Sequence, residues 1–233
     1  MPNRLLAAAL DRIPSDHGVH PSAAERIVAI LRTQIVDGAL RSGTRLTEET
    51  ISASLGFSRN TIREAFALLA AERLVVREPN RGVFVATPTL TDVHDLYAAR
   101  LAIEPAALAH GPAFTQDTPK QLQGIVDAAR AAHACQDMAG VAQANQEFHR
   151  AIAGINGSRR IDLLMEGLLA EMRLVFHLMD DDSRFHEPYL ERNAEIVRRL
   201  VDDGRPAAAQ ALRDYLSDAR EHLQSALGDT ADT

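Results

Sequence analysis

The chain has 233 residues, a formal net charge of −7 and 46% hydrophobic residues, of which the aromatics are only 4% with no Trp. That length suits two domains of ordinary size, with cores built from Leu, Ile, Val and Ala. No apolar run is long enough to cross a membrane, Asp11 and Arg12 interrupt the N-terminal apolar stretch too early for a secretory signal, and Cys135 has no disulfide partner, so a cytoplasmic protein is expected. Arginine supplies nearly all the positive charge, with Lys120 the single lysine; with many alanines, this is the usage of a high-GC bacterial genome.

In chain order, Ile27, Ile30, Leu31 and Ile35 recur at helical spacing within 22–37. Gly38 ends that helix and LRSGT is a turn. Thr47 is positioned to cap a short helix whose first turn carries Glu48 and Glu49, and Arg45 is read at its start. Gly56 breaks it, and Ser58 caps a helix running to about Glu72. Its inner face is read as Ile62, Ala65, Phe66, Leu68 and Leu69. LVV and GVFV, separated by EPNRG, read as a β-hairpin. The order helix, helix, turn, helix, hairpin is that of a winged helix-turn-helix, placed at 15–88. TPTLTD then links to the next helix, with Thr91 read as its cap. From there only helical patterns follow: 92–110, 118–135, 137–155, 158–179, 186–203 and 206–227. The expected fold is therefore mainly α, a winged helix-turn-helix followed by an all-α bundle of about six helices at 92–228.

Charge divides along the same boundary. Residues 15–88 hold nine arginines against eight acids, whereas residues 89–233 hold 14 basic against 23 acidic residues. An acidic protein can still meet a polyanion if the arginines of its near-neutral segment share a face. In a helix-turn-helix the second helix enters the major groove by its N-terminal end. Ser58, Asn60 and Thr61 can bind phosphate or base edges there, and Arg59 and Arg63 can pair with guanine or phosphate. Arg81 and Gly82 belong to the wing, and Arg45 is a further phosphate candidate.

The string GALRSGTRLTEETISASLGFSRNTIREAFALLAAERLVVREPNRGVFV resembles the DNA-binding domain of the GntR family of bacterial regulators. Gly38-Ala39-Leu40, Gly43-Thr44-Arg45-Leu46, Ser58-Arg59, Arg63-Glu64-Ala65, Leu69 and Arg81-Gly82 carry the match. Phe66 stands where the family usually has Leu, and Arg73 where Gly is common. The resemblance implies that Ser58, Arg59, Asn60, Thr61 and Arg63 are recognition-helix contacts and that Gly82 makes the wing turn.

DLYAARLAIEPAALAHG, NQEFHRAI and GRPAAAQALRDYLSDA look like the FCD effector domain of the FadR/VanR branch. That likeness implies a dimer and, in many members, a divalent metal with an organic acid beside it. The positions matching the family's ligands are Asn145 and His149 on one helix, Asn193, and Tyr215. Neutral amides and a phenol are poor partners for zinc or nickel, so no metal cofactor is expected; the weaker alternative uses His149, Asn145 and His222, with His177 and His186 as other imidazoles. Arg100 and Arg173 fall on helices that, by the resemblance, face the same cavity, and a buried guanidinium calls for a carboxylate. The expected function is a homodimeric, non-enzymatic transcriptional regulator, a repressor of an operator on double-stranded DNA. A small organic acid or polar metabolite would control it through Arg100, Asn145, His149, Arg173, Asn193 and Tyr215. The alternative is a ligand-blind DNA-binding protein whose helical domain only dimerises. An enzyme is disfavoured because no HExxH, GxSxG or glycine-rich phosphate loop occurs, and His133 and Cys135 lie on different helix faces.

Overall fold

The computed structural model describes residues 22–178 and 187–231. The proposed domain start at 15 and His186 lie outside them. Helix α1 (Ala23–Val36) opens with a capping box in which Ser22 and Glu25 satisfy each other's backbone N–H. A two-residue strand β1 (Arg45–Leu46) precedes α2 (Glu48–Leu55), which Thr47 caps and left-handed Gly56 ends. Arg45 therefore lies on a strand, not at a helix start. Helix α3 (Arg59–Ala71) is capped by the Ser58 side chain, which accepts from Thr61 N at 3.2 Å. Its buried face is Ile62, Ala65, Phe66 and Leu69; Leu68, expected among them, is 42% exposed, because it lies one residue outside the inward stripe.

Strands β2 (Val75–Glu78) and β3 (Gly82–Val85) form the hairpin, and β1 adds to its other side in the order β1-β3-β2, all antiparallel. Phe84 stands opposite both Arg45 and Val76. The third strand escaped the sequence because two residues carry no readable alternation.

Helix α4 (Leu90–His110) starts two residues earlier than expected: its cap is Thr89, in a capping box with Asp92, and not Thr91. Then follow α5 (Thr118–Ala134), α6 (Met138–Gly154), α7 (Arg159–His177), α8 (Glu187–Asp202) and α9 (Arg205–Ala231). These six helices share a core that includes Tyr97, Phe148, Ile152, Val197, Leu212 and Leu216. Arg205, at the start of α9, donates to Leu108 O at 2.8 Å and Gly111 O at 2.9 Å. It thereby satisfies carbonyls that the end of α4 leaves without intrahelical partners.

The two cores meet through α7. Ala170 and Leu174, on its C-terminal half, are buried within the core of the first domain, beside residues of α1 and α3. Arg173 Nε donates to Val36 O, the last carbonyl of α1, at 3.0 Å. Arg173 is thus spent on the seam between the domains and not on the bundle cavity; its place on a cavity-facing helix gave no sign of which side it occupies. Gly38, with φ of +80°, lets α1 end tightly, and a Cβ there would lie 3.2 Å from the His177 ring.

Candidate DNA interface and bundle site

The arginines at the tip of α3 are exposed and close to one acid. Arg63 Nε donates to Glu48 Oε1 at 2.7 Å, and this bond, above all, lowers the carboxyl's pKa, with further help from the charges of Arg59 and Arg77. Arg77 was not singled out in the sequence. It is exposed on β2, although it shares strand parity with the buried Val75, so the alternation of that short strand gave no sign of it. Arg45 lies against the wing: a Cβ on Gly82 would be 3.4 Å from Arg45 Nε, and Gly82, with φ of +120°, is where glycine alone fits comfortably. Arg81 pairs with Glu78 and sits 5.5 Å over the Phe84 ring. Arg45, Arg59, Arg63, Arg77 and Arg81 are all exposed. Ser58 and Thr61 are engaged with each other in the cap, at 2.8 Å between hydroxyls, and Asn60 is exposed. A phosphate or a guanine edge can displace Glu48 and Glu78, because exposed pairs contribute little to stability.

The bundle holds a different chemistry. On α4, Arg100 Nε donates to Glu104 Oε1 at 2.7 Å, both side chains buried. The other carboxylate oxygen meets His149 Nδ1 on α6 at 2.6 Å, and His149 Nε2 meets the Tyr215 hydroxyl on α9 at 3.1 Å. Burial is the largest influence on each of these groups. It opposes ionisation of Glu104, but Arg100 and His149 outweigh it and hold the carboxyl below its usual range. Burial likewise opposes the charge on Arg100, and Glu104 again prevails, raising it. His149 moves the other way: burial and the neighbouring guanidinium keep the imidazole neutral. The short contact to Glu104 is therefore a hydrogen bond from a neutral ring and not an ion pair. Nδ1–H donates to the carboxylate, and Nε2 accepts from the Tyr215 O–H, whose pKa burial raises further.

Beside this chain, Asn193 Nδ2 on α8 donates to Asn145 Oδ1 on α6 at 2.8 Å. Tyr189, one turn before Asn193, packs edge-on against Tyr215 and shares a 3.0 Å hydrogen bond with His222 Nδ1. Of the sequence-derived bundle residues, Arg100, Asn145, His149, Asn193 and Tyr215 come together; Arg173 does not, and His222 stands with Tyr189 at the periphery. Glu104 and Tyr189 were missed. The one available signal for Glu104 was its place four residues after Arg100 on one helix face.

These donors do not suit a divalent metal. The single imidazole has both nitrogens engaged, Asn145 Oδ1 is taken by Asn193, the phenol stays protonated, and the one carboxylate neutralises a buried guanidinium. Among the described residues no three His, Cys, Asp or Glu side chains converge as a metal site.

Residues 23–85 match the family described as bacterial regulatory proteins of the gntR family, and residues 95–224, more than half the chain, match the FCD domain. The chain belongs to the GntR family of transcriptional regulators, in its FCD branch. A crystal structure of a GntR transcriptional regulator from Rhodococcus sp. RHA1 is 45% identical, with a TM-score of 0.80 over 87% of this chain and 98% of that one. The E. coli protein McbR/YncC has the same fold at 19% identity, with a TM-score of 0.74 over 88% of this chain and 99% of its own. The HTH-type transcriptional repressor RspR of Escherichia coli K12 is 25% identical over 209 residues, 89% of this chain and 92% of its own length. The first domain of this regulator is thus its DNA-binding unit and the bundle its effector domain. No described helix is long and apolar enough to cross a membrane.

Proposed function

We propose that this GntR-family protein is a cytoplasmic, dimeric repressor whose operator affinity is set by a small organic acid held in the bundle without a metal. The observation that carries the reading is Arg100: a buried guanidinium that shares one carboxylate with His149, packs 5.1 Å over the Tyr97 ring and keeps Nη2 without a hydrogen-bond acceptor. A buried cationic donor left open is costly unless an anion meets it, and a carboxylate is the best geometric match. In a dimer the two α3 helices would meet successive major grooves about 34–36 Å apart, with Arg45, Arg59, Arg63 and Arg81 on phosphates and base edges. Ligand binding would be felt through α7, which abuts α6 in the bundle and buries Ala170 and Leu174 in the DNA-binding core. Such coupling requires the acid to bind the two arrangements with different affinity.

The test is a fluorescence-anisotropy titration of the promoter fragment upstream of the regulator's own gene, with and without short carboxylates at millimolar concentration. The expected result is weaker operator binding with at least one acid. Unchanged affinity across the set, with no acid stabilising the protein thermally, would leave a ligand-blind dimer as the better reading.

A further inference from the structure

A cleft of about 630 Å³ lies between the wing and the bundle, with Val75, Val76 and Phe84 of the wing strands, Pro88 of the linker, Asp92 of α4 and Glu171 of α7 in its walls. Its volume is that of a small-molecule site, and such sites favour domain interfaces. Glu171 is only 7% exposed, yet it lines this cleft. Among the described residues no hydrogen bond or ion pair reaches its carboxyl. The arginines nearby already have partners: Arg81 pairs with Glu78, and Arg73 lies 3.6 Å from Asp92. Arg73 therefore offsets Glu171 only as a more distant charge, while burial, reinforced by Asp92 and Asp95 on α4, raises the carboxyl to about 7. What the cleft presents is one buried carboxyl without a counter-ion, set among apolar side chains.

We propose that this cleft is a ligand site of its own, for a small organic cation whose ammonium meets Glu171 and whose apolar body packs on the wing strands. It lies apart from the Arg100 cluster and does not depend on the acid read there. An anion would add its charge to those of Glu78, Asp92 and Glu171, and would have to separate Arg73 or Arg81 from its partner. A neutral molecule leaves the buried carboxylate without a counter-charge, which is the costly state. An ammonium supplies N–H donors and the missing charge together. The apolar body follows from the walls: Val75 and Val85 are buried, Phe84 is half-buried, and Val76, 44% exposed, is a large apolar side chain that a ligand would cover. Because the walls come from β2 and β3 on one side and from α4 and α7 on the other, a bound cation contacts both domains at once.

Isothermal titration of the full chain at pH 8, where Glu171 is mostly ionised and alkylamines are still protonated, tests the assignment. The probes are two matched pairs, benzylamine with benzyl alcohol and butylamine with butanol. At least one amine is expected to bind about tenfold more tightly than its alcohol, as for one charge-assisted hydrogen bond. If neither amine binds at millimolar concentration, or neither is preferred over its alcohol, the site is overturned. Glu171→Gln keeps the shape of the side chain and removes its charge, so it is expected to abolish the preference. A folded Glu171→Gln protein that kept it would place the cation elsewhere and also overturn the site. Should that variant not fold, Val76→Trp, which narrows the cleft from an exposed strand position, is expected to weaken amine binding about tenfold, and unchanged binding would count the same way.

Discussion

Glu104→Leu removes the one carboxylate that neutralises Arg100 and accepts from His149. The side chains are 3% and 0% exposed for Arg100 and Glu104, so solvent cannot take over the lost role. Breaking a buried pair from one side costs about 3–5 kcal/mol, because the remaining charge stays buried and uncompensated. For a chain of this size that corresponds to a fall in Tm of roughly 6–20 °C. The double variant Arg100→Met/Glu104→Leu fills similar volume with apolar groups and leaves only His149 Nδ1–H without its acceptor, at a cost of about 1–3 kcal/mol. The double variant is therefore expected to be more stable than the single one. Urea unfolding followed by far-ultraviolet circular dichroism, on the full chain, measures both. A single variant within about 1 kcal/mol of wild type, or a double variant less stable than the single, would refute the buried-charge argument.

Burial, partly opposed by Arg73 and reinforced by Asp92 and Asp95, raises the Glu171 carboxyl at the domain seam to about 7. The folded state therefore holds this proton more tightly than the unfolded chain. Its contribution to stability is full below pH 4.5 and is lost as pH rises through about 7. Glu171→Gln should flatten that decline in denaturation curves taken from pH 5 to 8, and an unaltered pH profile would count against it. Gly111→Ala should destabilise by about 1–3 kcal/mol, since a Cβ there would stand 2.5 Å from the backbone oxygens of Ala107 and Ile155; a wild-type melting temperature would contradict that contact. Ser58→Ala removes the cap of α3 and should cost about 1 kcal/mol in urea unfolding; no loss would mean that the cap contributes nothing.

The DNA-binding half was legible because its signals are local. Thr47, Ser58 and Gly56 mark helix ends by chemistry that acts within three residues. The bundle helices were legible from length and periodicity for the same reason. The site was only partly so. Asn145 and His149 share a helix face, and so do Arg100 and Glu104, yet which pairs face one another depends on how α4, α6, α8 and α9 pack, a long-range property absent from any one segment. Arg173 shows the limit: its residue type suited a cavity, but α7 turns that side toward Val36 in the other domain. Arg45 shows another, since a two-residue strand exists only because β3 is there to pair with it.

The arginine tip of α3 is tested most directly by titrating wild type and Arg59→Ala onto a promoter duplex and onto a scrambled duplex at the same moderate salt. Wild type is expected to prefer the promoter, and Arg59→Ala to lose about 1–3 kcal/mol on that duplex, with a much smaller loss on the scrambled one. Equal binding of both duplexes by wild type, or an Arg59→Ala protein that kept the full preference, would contradict the placement of this helix in the major groove.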